Sequence, residues 1–137
     1  MMEEKQTEIS TLGEFGLIDR LTKDIEHVND STLTGVGDDC AVMSYKDTDV
    51  LVSTDLLVEG VHFDLTYVPL KHLGYKAAVV NFSDIYAMNG HPRQITVSLA
   101  ISKRFTVEHI EELYSGIRLA CEIYGVDLVG GDTTSSR

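Results

Sequence analysis

The chain has 137 residues, 43% of them hydrophobic, with 22 acidic against 11 basic side chains and a formal net charge of −11. That length suits one domain with a core of its own. The acidic excess leaves no basic patch for nucleic acid or an anionic membrane, and no apolar run approaches the roughly 18 residues of a membrane helix. Residues 1–10 read as a flexible N-terminus, too polar at Met-Met-Glu-Glu-Lys-Gln for a secretory signal or transit peptide. From Thr11 a helical period sets in: Leu12, Phe15, Ile18, Leu21 and Ile25 share one face, with Ser10 or Thr11 available as the cap. A polar stretch over 26–34 ends that helix. Gly35-Val36-Gly37-Asp38-Asp39 then leads into a strand over 40–45, and Lys46-Asp47-Thr48-Asp49 reads as a turn. A second strand over 50–55 pairs with the first as a hairpin, and Val61-His62-Phe63 reads as a short extended piece.

Pro69 suits the first turn of a helix that continues to Met88, with Asn89-Gly90 as its stop and Pro92 beyond. Residues 95–101 alternate as a half-buried strand. Thr106 opens an amphipathic helix carrying Ile110, Leu113, Ile117, Leu119, Ala120 and Ile123. Asp127-Leu128-Val129 is a last strand, delivering a loop, Gly130-Gly131-Asp132-Thr133-Thr134. The order of elements predicts an α+β (α/β mixed) fold, with four main strands in a mixed, largely antiparallel sheet and helices on one face. The chain runs out soon after that loop, at Arg137, and reads as part of a longer protein. Cys40 and Cys121 have no metal-like spacing and read as reduced thiols of a cytoplasmic protein.

The acids gather in five segments: Asp38-Asp39, Ser53-Thr54-Asp55, Glu59, Asp84 and Asp132-Thr133-Thr134. Three of these stand at strand ends, where side chains from one side of a sheet converge. Carboxylates so gathered suit magnesium, which takes oxygen ligands and bridges them to phosphates. Much of the remaining acidity serves solubility. Asp84 lies in an apolar helix, with Asn81 beside it on one face. Left unpaired there, its charge costs several kcal/mol, so it is metal-bound, or it caps a loop or pairs with a basic group such as Lys76. Gly130-Gly131 makes a tight turn or lets main-chain amides approach an anion. His62, taken alone, reads as a surface or packing histidine. The chain has no G-x-x-x-x-G-K-[ST] loop and no H-R-D or D-F-G set, which excludes P-loop and protein-kinase chemistry.

Together the segments 35–41, 53–63, 73–77, 80–84, 87–88 and 130–134 resemble the thiamine-monophosphate kinase family, within the aminoimidazole-ribonucleotide-synthetase-like superfamily. One departure is Asn89-Gly90, where the family usually has Gly-Ala. The resemblance implies ATP-dependent phosphorylation of thiamine monophosphate to thiamine diphosphate, with ATP as co-substrate and several Mg2+ ions. It implies magnesium positions at Asp38, Ser53, Thr54, Asp55, Asp84 and Asp132, a substrate contact at His62, and nucleotide contacts at Gly131 and Asp132. It assigns no catalytic side chain. It further implies that residues 11–137 are an N-terminal Mg-ATP-binding domain. That domain pairs as a homodimer into an eight-stranded barrel and is inactive without a C-terminal domain. Two alternatives stay open: a non-catalytic metal-binding dimerisation module, and another ATP-using member such as selenophosphate synthetase. The latter carries a reactive cysteine or selenocysteine in an N-terminal glycine-rich stretch, whereas residues 1–34 here hold no cysteine.

Overall fold

A computed structural model of the chain describes residues 6–59 and 64–137. Its elements run α1 (Ile9–Thr22), β1 (Thr32–Thr34), β2 (Ala41–Tyr45), β3 (Thr48–Val52), α2 (Leu70–Ala87), β4 (Gln94–Ile101), α3 (Val107–Tyr124) and β5 (Asp127–Ser135). The fold is α+β. The described residues differ from a single four-stranded sheet in having five strands in two sheets, an antiparallel β1-β2-β3 and a parallel β4-β5. The extra strand, β1, is only three residues long, too short for alternation to reveal it.

The core lies where α2, α3 and β4 meet. Leu73, Ala78 and Phe82 of α2 pack with Leu113, Ile117, Ala120 and Cys121 of α3, and Ile95, Val97 and Leu99 of β4 lie against them. The alternation predicted over 95–101 is thus the face that β4 turns to the helices. Thr106 caps α3: its hydroxyl accepts the His109 amide while the His109 ring accepts the Thr106 amide, which satisfies two otherwise orphaned groups. Gly74 and Gly116 face each other's helices. A Cβ on Gly74 would stand 1.9 Å from Leu113 O, and one on Gly116 would stand 1.9 Å from Lys71 O. Side chains there would hold the two helices apart.

Three boundaries move. The first helix starts at Ile9 with Glu8 as its cap residue and no side-chain cap bond, so neither Ser10 nor Thr11 caps it. No residue of α1 is buried, and Phe15, on the predicted apolar stripe, is 79% exposed. The hairpin turn is tighter than expected: Tyr45 pairs with Thr48, leaving only Lys46 and Asp47 in the loop, while Ser53, Thr54 and Asp55 fall beyond β3. Pro69 precedes α2 as its cap residue. A fourth change matters most for the site. Gly130 to Thr134 is not a loop but the body of β5, paired with β4 across a register shift near Ile95 and Thr96. Gly131 lies opposite Val97 with φ +153, and a Cβ there would meet Val97 O at 1.8 Å. That close approach, not a turn, is why glycine stands at 131. The piece 61–63 lies outside the described residues. Among the described residues no helix is long and apolar enough to cross a membrane.

Candidate functional site

The hairpin and α2 bring the central part of the predicted site together. Ala41 pairs with Val52, so Cys40, just before β2, and Ser53, just after β3, leave the hairpin side by side. Both reach the C-terminal half of α2. Ser53 Oγ donates to Asp84 Oδ2 at 3.2 Å, and Cys40 Sγ donates to the Asp84 main-chain oxygen at 3.3 Å. Two residues on, the Asp55 amide donates to Asn81 Oδ1 at 3.1 Å, while Asn81 Nδ2 donates back along its helix to Ala77 O at 2.8 Å. Asn81 and Asp84 therefore act from one face of α2, as their spacing predicts. Asp84 is half-buried, and the Ser53 hydroxyl partly offsets the loss of water around its carboxylate.

Asp38 and Asp39 are exposed in the bend before β2, with the Asp39 amide donating to Asp38 Oδ1 at 2.8 Å. Their charges reach Cys40. Burial pushes the Cys40 thiol above its ordinary value of 9.0, and the negative charges of Asp84, Asp39 and Asp38 push it further, against a lowering hydrogen bond from Ser53. The thiol is thus protonated at neutral pH. Thr54 is exposed between Ser53 and Asp55. Gly131 and Asp132 stand on the other sheet, in β5 opposite Val97 and Ser98, and His62 lies outside the described residues. Glu59 forms an exposed ion pair with Arg104, which follows β4, so its carboxylate is engaged away from the Ser53–Asp84 contact. Sequence reasoning missed Cys40 and Arg104. Nothing in the sequence marks Arg104, but a cysteine set directly after two aspartates at a strand start is a usable signal.

Among the described residues, no three His, Cys, Asp or Glu side chains come close enough together to hold a metal ion. The donor set nonetheless has one character. Asp38, Ser53, Thr54, Asp55, Asp84 and Asp132 offer oxygen, and the Cys40 sulfur beside Asp84 is a protonated thiol. That chemistry fits a hard cation such as magnesium and not a soft one.

Residues 37–137 match the family model for AIR synthase related protein, N-terminal domain. The chain belongs to this family. The matched stretch holds every site residue named above and leaves out α1 and β1. The chain is 39% identical over 128 residues to the thiamine-monophosphate kinase of Aquifex aeolicus and 40% identical over 126 residues to that of Bacillus subtilis. These alignments cover 93% and 91% of this chain but 40% and 38% of the relatives. AaThiL complexed with AMPPCP and TMP superposes with a TM-score of 0.85 at 37% identity, over 98% of this chain and 41% of that one. A crystal structure of the Aquifex aeolicus kinase gives 0.72 at 33% identity, over 96% and 40%. The chain therefore spans about two fifths of the length of the kinases it matches.

Proposed function

We propose that the whole protein is a cytoplasmic thiamine-monophosphate kinase, transferring the γ-phosphoryl group of ATP to the phosphate of thiamine monophosphate. This chain forms its N-terminal, nucleotide- and magnesium-binding part. The observation that carries the reading is the Ser53–Asp84 contact, two oxygen side chains 31 residues apart in sequence held at 3.2 Å within a family whose similar members are kinases. AaThiL, whose structure holds AMPPCP and TMP, supports the choice of a triphosphate donor and this acceptor.

Phosphoryl transfer asks for alignment and charge neutralisation more than for covalent help. Asp38, Ser53, Thr54, Asp55, Asp84 and Asp132 would hold magnesium, which supplies neutralisation of phosphates that a chain of net charge −11 otherwise repels. Ser53 and Asp84 orient one another, and Asn81 fixes the main chain at Asp55 through the amide of that residue. Gly131 and Asp132 contact the nucleotide from β5, and His62 contacts the acceptor. An acceptor phosphate oxygen is already ionised, so no side chain is assigned as general base.

The fold also supports a homodimer closing an eight-stranded barrel. Every residue of β5 is exposed, and a two-stranded sheet such as β4-β5 is marginal alone, so a second copy that continues it removes an open edge. The test is phosphate transfer from ATP to thiamine monophosphate by the whole protein. Asp84→Asn keeps the shape of the side chain and should lower kcat at least about 100-fold without unfolding the protein. Wild-type turnover in that variant would remove Asp84 from the metal site. No calorimetric heat from magnesium-ATP, with or without the rest of the kinase, would favour a non-catalytic dimerisation module instead.

A further inference from the structure

Cys40 is 2% exposed, yet it is not part of the apolar cluster between α2, α3 and β4. It is buried where the hairpin meets the end of α2. The last four carbonyls of a helix, here those of Asp84, Ile85, Tyr86 and Ala87, lack the amide one turn ahead and need other donors. The Gly90 amide bonds Ile85 O at 3.0 Å, and the Asn89 amide bonds Tyr86 O at 2.9 Å. The Met88 amide, which a longer helix would give to Asp84 O, instead bonds Ile85 O at 3.2 Å. The donor that reaches Asp84 O is the Cys40 thiol, at 3.3 Å.

Asp84 is therefore gripped twice by the hairpin, at its main chain by Cys40 and at its carboxylate by Ser53. Ala41 and Val52, the residues just inside these two, are paired across β2 and β3, so the two grips share one rigid origin. We propose that Cys40 is a positioning residue: by capping the freed carbonyl of Asp84 it fixes the end of α2 against the hairpin and aims the Asp84 carboxylate at the magnesium position. This rests on the metal reading of Asp84. A residue acting behind a metal ligand in this way typically changes metal affinity about 10-fold or more when removed. An alanine at 40 removes the donor and a serine keeps one, so the pair separates hydrogen bonding from packing.

The experiment is calorimetric titration of Mg2+ into the whole protein, with melting temperature recorded for every variant. Cys40→Ala should weaken Mg2+ binding about 10-fold and raise the Mg2+ needed for half-maximal turnover, with KM for the acceptor unchanged. Cys40→Ser should recover most of that loss. Cys40→Val fills the space without a donor and should behave as Cys40→Ala does, so it carries the comparison if the alanine variant does not fold. A lower melting temperature with Mg2+ affinity within about twofold of wild type, in either donorless variant, overturns the proposal and leaves Cys40 a packing residue. Asp84→Asn is the reference. If it weakens Mg2+ binding and the Cys40 variants do not, only the positioning role fails; if it too binds normally, the metal reading of Asp84 fails and takes this proposal with it.

Discussion

Replacing Gly116 by alanine sets two effects of opposite sign against each other. Alanine is the better helix former by about 1 kcal/mol, so α3 taken alone would gain. The added Cβ, however, would lie 1.9 Å from Lys71 O and 2.8 Å from Tyr75 N, both main-chain atoms of α2 that cannot rotate aside. Restoring ordinary contact requires the helices to part by about 1.5 Å at that point. Leu73, Ala78, Phe82, Leu113, Ile117 and Ala120 all lie in the cluster between them and lose contact together. Overpacking a core typically costs about 1–3 kcal/mol. A clash of backbone on backbone belongs at or above the top of that range, which leaves a net loss of about 2 kcal/mol after the propensity gain. For a chain of this size the melting temperature should fall by about 8 °C. Urea denaturation and thermal melting of Gly116→Ala beside Gly130→Ala make the comparison, since a Cβ at 130 meets only Thr96 Cγ2 at 4.0 Å. A Gly116→Ala protein as stable as the parent would falsify the close approach of α2 and α3.

Thr106→Ala removes one half of a reciprocal cap and should cost about 1 kcal/mol in urea unfolding, with Thr106→Ser close to wild type; equal stability of the alanine variant would show that water replaces the cap. Gly131→Ala pushes a Cβ into Val97 O and should disrupt the β4–β5 pairing, read as faster amide exchange in β4 and not only as weaker nucleotide binding. The Cys121 thiol is held above its ordinary value of 9.0, first by burial and then by the Asp127 charge. Its folded-state value exceeds the unfolded one, so this contribution is complete below pH 9 and is lost as pH rises through the folded value. Stability should therefore fall on the alkaline side, and Cys121→Ala should flatten that limb; an unchanged slope would refute the assignment.

The elements with a clear period were legible in the sequence, and those set by long-range pairing were not. Residues 95–101 alternate and form a half-buried strand, and Thr106 announces a helix through its cap. The 130–134 segment misled because Gly-Gly beside polar residues is local turn chemistry, whereas its strand pairing is dictated by a neighbour about 30 residues away. The predicted stripe is not one face of α1, because Gly13 kinks the helix with φ +70 and Ile25 lies beyond its end at Thr22. No residue of α1 is buried, since periodicity tells which face is apolar and not what packs there. Within the site, Asp84 and Asn81 are readable from helical spacing and Ser53 from its run with Thr54 and Asp55, though the sequence puts that run inside the strand that in fact ends at Val52. The sequence signals of a cysteine are metal spacing and a neighbouring base, and neither marks a thiol that donates to a helix end, as Cys40 does to Asp84 O.

One helix serves two masters in this chain. Gly74, Ala78 and Phe82 tie α2 into the core, while Asn81 and Asp84, interleaved with them on the adjoining face, hold the end of the hairpin. Damage to one role is transmitted to the other along a rigid rod. A library of α2 variants ranked by turnover alone would thus mix folding defects with binding defects. The two classes separate only when each variant's soluble yield and melting curve are measured beside its rate.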